Sequence, residues 1–139
     1  MPESSRRDEY LLLSRGQWDP GKSSEEIQSA IDRFYIWYER LVAQGTFKRG
    51  HRLATGTMLV SRQGVTDGPF TEAKELIAGY TLIQVRSREE ALEWSRRFPN
   101  PAGNGKEAVI ELRQLIELDE FPPSDGIERF KQLDAERGA

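Results

Sequence analysis

From Ser23 to Gly45 the apolar residues Ile27, Ala30, Ile31, Phe34, Tyr38 and Leu41 recur every three or four positions, and an α-helix is the conformation that gathers such positions on one side. Ser23 followed by Glu26 has the spacing of a capping box, and Gly45 closes the run. The pattern predicts one helix of about 20 residues, roughly 30 Å long. Tyr35, Ile36 and Trp37 fall off the main stripe and widen the apolar surface, so the helix is expected to touch more than its own sheet. A long helix with one apolar side needs a second layer to lie on, and the rest of the chain must supply it.

The flanking segments read as strands. Tyr10, Leu11, Leu12 and Leu13 form a short apolar run that stops at Gly16 and the Asp19-Pro20-Gly21 turn, which predicts a first, buried strand. Residues 57–61 predict one arm of a hairpin turning near Gln63 and Gly64, with Val65 and Thr66 beginning the return. Residues 80–85 form a strand by composition. Ser87 with Glu90 then opens a second capped helix, with Ala91, Leu92, Ser95 and Phe98 as its stripe and Pro99 as its stop. Residues 100–106 read as a loop, and residues 108–118 alternate as a last strand.

The order strand, helix, hairpin, strand, helix, strand is a split βαβ pattern. It predicts an α+β, ferredoxin-like domain, a mainly antiparallel sheet with two helices on one face. The other face is left open. Alternation on the last strand puts Ala108, Ile110 and Leu112 on one side and Val109, Glu111, Arg113 and Leu115 on the other. A partly apolar open face is expected to be covered by a second copy, giving a homodimer with a polar-lined cleft for a small-molecule ligand.

With 139 residues the chain suits one domain, and a net charge of −3 provides no broad positive field for nucleic acid or an anionic membrane. The absence of cysteine excludes disulfides, thiolate metal sites and a cysteine nucleophile. A single histidine leaves only irregularly spaced carboxylates as metal ligands, so neither a metal nor another cofactor is expected. Residues 1–9 are expected to be a polar tail without the apolar core of a signal peptide, and no stretch has the length of a membrane span, so a cytoplasmic location is expected. Residues 10–118 form the expected domain and 119–139 a charged extension, in which Ile127, Phe130 and Leu133 have the spacing of a short docking helix, the alternative being disorder.

Residues 16–23 match the phosphate-binding pattern G-x-x-x-x-G-K-S between a predicted strand and a predicted helix. A phosphate cradle works through inward-pointing backbone N–H groups, but Pro20 has none and Asp19 brings a negative charge toward the phosphates. The chain is also too short for the crossovers of a nucleotide-binding parallel sheet. The segment reads as a turn that leads into a helix cap.

The string Val65-Thr66-Asp67-Gly68-Pro69-Phe70-Thr71-Glu72-Ala73-Lys74-Glu75, followed by Gly79-Tyr80, resembles the signature of the DGPF branch of the YCII-related family. The flanks extend the resemblance: an N-terminal Tyr-Leu-Leu-Leu strand, the helix carrying Ala91, Leu92, Glu93 and Trp94, and the strand Ile110-Glu111-Leu112-Arg113. The resemblance implies a ferredoxin-like domain of the dimeric α/β-barrel superfamily. Its relatives include enzymes acting on small lactones or chlorinated aromatic breakdown products, and proteins encoded beside extracytoplasmic-function sigma factors.

Three functions are therefore open: cofactor-free acid–base handling of a small polar organic molecule, a non-catalytic dimeric binding or regulatory module, or a purely structural subunit. Some relatives pair a histidine near the start of the first helix with an aspartate; here the histidine is His51, after that helix. Asp67 and His51 are the catalytic candidates, since an imidazole near its pKa exchanges a proton with a carboxylate once the fold brings them together. Gly68, Pro69, Phe70, Tyr80 and Arg113 are the candidate ligand contacts. Each has a structural alternative: Asp67, Gly68 and Pro69 as turn chemistry, Phe70 and Tyr80 as core, and Arg113 as the ion-pair partner of Glu111 rather than of a substrate carboxylate.

Overall fold

A computed structural model describes residues 8–15, 23–54, 56–68, 77–99 and 109–138. Strand β1 (Asp8–Arg15) leads to helix α1 (Ser24–Ala43), β2 (Phe47–Arg52), the hairpin β3 (Met58–Ser61) and β4 (Gly64–Asp67), then β5 (Ile77–Val85), α2 (Arg88–Arg96) and β6 (Ile110–Gln114). A 3₁₀ turn (Leu118–Glu120) and helix α3 (Asp125–Glu136) follow.

The main sheet has the order β2-β5-β1-β6, and every neighbouring pair is antiparallel. This is the split βαβ arrangement expected of a ferredoxin-like α+β fold: β5 lies between β1 and β2, and the two strands joined through α1 do not touch. The hairpin β3–β4 is a separate two-stranded sheet. Gly64, at φ 147°, begins its return arm, a backbone angle that excludes most other residues.

Local chemistry sets the helix ends. Ser23 Oγ accepts from the Glu26 amide at 3.2 Å while Glu26 reaches back to the Ser23 amide at 3.1 Å, so two otherwise orphaned donors are satisfied. Gly45, at φ 70°, lets the chain turn off α1 into β2. Ser87 caps α2 through the Glu90 amide, and the helix ends before Pro99.

The core lies between the helices and one face of the sheet. Tyr10 and Leu12 of β1, Ile83 and Val85 of β5, Trp37 and Leu41 of α1, and Ala91 and Trp94 of α2 form the buried cluster. Full burial of Leu12, Leu41, Ile83 and Val85 contributes ~1.5–3 kcal/mol each before conformational entropy is charged against it. Phe34, Tyr38, Phe47 and Phe98 pack around the cluster, with Phe34 edge-on to both Tyr38 and Phe98.

Three details differ from the sequence expectation. Trp37, placed off the main stripe with Tyr35 and Ile36, is 4% exposed, whereas Tyr35 is 62% exposed. Its indole Nε1 donates to the Trp94 carbonyl at 3.1 Å, which satisfies the polar atom that burial would otherwise strand. Trp94 belongs to the stripe of α2 with Ala91, although the spacing pointed to Leu92 and Ser95. The last strand is shorter than the alternating segment, because the chain leaves the sheet after Gln114 and turns at residues 118–120.

Candidate functional site

Antiparallel register aligns side chains across strands, and residues directly opposite one another share a face. The buried residues Tyr10, Leu12, Ile83 and Val85 define the helix-covered face. Residues one position off them stand on the other face, which no helix among the described residues covers. There His51 of β2 lies opposite Tyr80 of β5, Tyr80 opposite Leu13 of β1, and Leu13 opposite Glu111 of β6. The next row runs Arg49, Leu82, Leu11, Arg113 in the same strand order. Two rows of mixed aliphatic, aromatic and charged groups thus cross the whole sheet.

Gly50 and Gly79 allow β2 to approach β5 and α1 closely. A Cβ on Gly50 would stand 2.9 Å from the Tyr80 carbonyl oxygen and would collide with the Tyr38 hydroxyl beneath it. A Cβ on Gly79 would stand 2.9 Å from the His51 carbonyl oxygen. Both glycines are required by this close approach, and they hold the backbone that carries His51 and Tyr80.

At the β6 end, Glu111 accepts from Arg15 Nη2 at 2.8 Å and from Arg113 Nη1 at 3.4 Å. The hydrogen bond from Arg15, and then that from Arg113, hold the Glu111 carboxyl below the usual carboxylate range. One carboxylate between two guanidinium groups leaves this end of the face with a net positive charge. Arg15 Nε is buried with no hydrogen-bond partner, so the guanidinium has unused donor capacity. Arg113 is 69% exposed at its side chain and reaches toward solvent. Arg15 was not legible as a site residue, because its pairing with Glu111 spans most of the chain.

At the β2 end, His51 Nδ1 lies 2.9 Å from the Arg52 carbonyl oxygen. This is a hydrogen bond when Nδ1 carries the proton, and it leaves Nε2 as the basic nitrogen. The imidazole is exposed.

Asp67 ends β4 opposite Met58, on the separate hairpin, and it is exposed. Among the described residues it makes no hydrogen bond or ion pair with His51. Gly68 closes the hairpin base by donating its amide to the Thr57 carbonyl, and its φ is not positive. Pro69 and Phe70 lie outside the described residues, as do Glu72, Lys74, Glu75 and most of the phosphate-like pattern before Ser23. The structure therefore brings His51, Tyr80 and Arg113 to one face, with Leu11, Leu13 and Leu82 between the charged ends, and places Asp67 and Gly68 on a different element.

No helix among the described residues is long and apolar enough to cross a membrane.

Residues 10–118 match the YCII-related domain family. A protein of Rhizobium meliloti (strain 1021) described as uncharacterised is 32% identical over 87 residues, which cover 63% of this chain and 68% of that relative. The matched span runs from the buried tyrosine of β1 to the turn after β6 and takes in both helices of the core and the whole uncovered face. The chain belongs to the YCII-related family.

Proposed function

We propose that the uncovered sheet face is the wall of a cleft closed by a second copy, in which a small polar organic molecule, such as a carboxylic acid or a lactone, binds and undergoes cofactor-free acid–base chemistry. The observation that carries this reading is the pair of cross-strand rows that put the His51 imidazole and the Tyr80 ring at one end and the Arg15–Glu111–Arg113 cluster at the other, with leucines between. The arginine end suits a carboxylate, which a guanidinium grips with paired hydrogen bonds. The leucines suit the apolar body of the same molecule. His51 Nε2 is the candidate proton acceptor, and Asp67, supplied from the hairpin, is the candidate second acid–base group. The motif beginning at Asp67 supports assignment to the DGPF branch, and the dimer and a cytoplasmic location belong to the same proposal.

A second reading, a non-catalytic binding or regulatory module, is favoured by one observation: His51 and Asp67 form no hydrogen bond or ion pair. The two readings separate in one experiment. Sedimentation first establishes whether the protein pairs. Small carboxylates and lactones are then screened by ligand-observed NMR, and each binder is followed for conversion by mass. Conversion that His51→Ala abolishes while binding survives supports the enzyme. Binding that Arg113→Ala weakens, with no conversion, supports the module. A monomer that binds none of them overturns both.

A further inference from the structure

Helix α3 is capped by Ser124, whose hydroxyl accepts from the Ile127 amide at 3.1 Å, yet the helix buries none of its 12 residues. Isolated helices shorter than ~12–15 residues are marginal in water, and most helical stability in proteins comes from packing an apolar side. Here Ile127 is half-buried and the rest of that side is bare: Phe130 is 59% exposed and Leu133 is 53% exposed. The ion pair that ties α3 to the preceding turn, Lys131 Nζ to Asp119 at 2.6 Å, lies off this stripe. Along Asp125–Glu136 the carboxylates Asp125, Glu128, Asp134 and Glu136 outnumber the cations Arg129 and Lys131; Glu128 pairs with Lys131 at 3.7 Å and Asp134 with Arg137 at 3.6 Å, and Asp134 stands one turn from Phe130.

A surface of opposite character lies on the helix layer. Between α1 and α2 a cavity of about 230 Å³ is lined by Arg33, Ile36, Trp37, Arg40, Trp94 and Arg97. Small-molecule sites are roughly 300–1,000 Å³, so this groove suits one large apolar side chain rather than a whole ligand. Its floor is tryptophan and its rim is cationic. Arg97 lies 5.4 Å from the centre of the Trp94 ring and is neutralised by Glu93 at 3.1 Å. Arg33 donates to the Ser29 hydroxyl at 3.0 Å, and among the described residues neither Arg33 nor Arg40 has a carboxylate partner. Ile36, beside them, is 46% exposed.

We propose that α3 is an exchanged arm, which lays Phe130 into the tryptophan-floored groove of a second copy, with Leu133 at the rim and its carboxylates toward Arg33 and Arg40. An aromatic anchor in a partly apolar pocket ringed by opposite charge is the arrangement that dominates binding energy in protein interfaces. The donor and acceptor surfaces occur on one chain, and in this structure α3 leaves its own groove uncovered. Reciprocal exchange then closes a two-fold pair. The arm lies beyond the family-matched residues 10–118, so this contact is an addition to the core and independent of the face-to-face pairing proposed above.

The absence of cysteine makes the test direct. Ile36→Cys and Gln132→Cys full-length proteins are prepared separately, mixed, and treated with a short bis-maleimide; both sites are exposed and the Phe130 anchor is kept, so folding is checked by circular dichroism and is expected to be unchanged. The mixture is expected to give a covalent pair several-fold above either protein alone. Adding Arg33→Glu and Arg40→Glu to the Ile36→Cys partner is expected to remove most of it, and Leu13→Glu, which spoils the open sheet face, is expected to leave it. A mixture that gives no more covalent pair than the separate proteins overturns the proposal. So does cross-linking only within a single chain that carries both cysteines, or a yield indifferent to the arginine reversals.

Discussion

The indole nitrogen of Trp37 and the main-chain oxygen of Trp94 share a buried hydrogen bond that joins the two core helices. It fixes the sliding position of α1 against α2 over the sheet, because an indole has one donor and the carbonyl stands at one height along α2. Trp37→Phe is expected to destabilise the fold by about 2–3 kcal/mol, from the lost bond and the vacated volume. Urea unfolding followed by circular dichroism checks it. The midpoint is expected to fall with the slope unchanged.

Gly50→Ala forces a methyl group against the Tyr38 hydroxyl and within 2.9 Å of the Tyr80 carbonyl oxygen. A cost of about 1–3 kcal/mol is expected from the overpacking. Tyr38→Phe removes the atom that clashes. In the double variant the two losses are expected to fall short of their sum, and a double-mutant cycle measures that coupling.

Glu111 supplies an acid-side dependence. Its folded carboxyl, bonded by Arg15 and then by Arg113, titrates below its ordinary value of 4.5. A lowered pKa gives stability that is fully present above the unfolded value and is lost as pH falls through the folded one. Glu111→Gln is therefore expected to flatten the stability profile on the acid side of pH 4.5 and to leave its shape near neutrality unchanged, measured by urea midpoints at stepped pH. Added salt is expected to shrink the difference, since these groups are solvent-accessible.

Tyr38 supplies the alkaline counterpart. Burial, partly offset by a hydrogen bond with Thr81, raises its phenol above the ordinary value of 10.0. The contribution of the protonated phenol is fully present below that unfolded value and is lost as pH rises through the folded one. Ultraviolet titration is expected to show a late-ionising component that is lost in Tyr38→Phe.

Most elements were legible because each has a local cause: the Ser23–Glu26 box, the Gly45 stop, the Gln63–Gly64 turn and the period of α1; the bounds of β2 were not, and it is β2 rather than the hairpin that stands beside β5 in the main sheet. The side of β6 that carries Glu111 and Arg113 was legible too, since alternation needs no knowledge of its neighbours. The burial of Trp37 was not, because a helical stripe has soft edges and the second helix decides which edge is covered. The pairing of His51 with Tyr80 and of Arg15 with Glu111 depends on strand register, including the irregularity between Phe47 and Arg49, and register is a property of two strands at once. Asp67 and His51 look like neighbours in a list of polar candidates, yet they stand in different sheets.

The strand order also has a consequence for how the protein is made. β1 sits inside the sheet and precedes both of its partners in the chain: Leu12 pairs with Thr81 on one side and with Leu112 on the other. Until β5 and β6 have been synthesised, the apolar run of β1 has neither hydrogen-bonding neighbour, and α1 has no finished floor to lie on. The nascent chain therefore carries the apolar run of β1 exposed until both partners have emerged, and cells with diminished chaperone capacity are where loss of this protein is expected first.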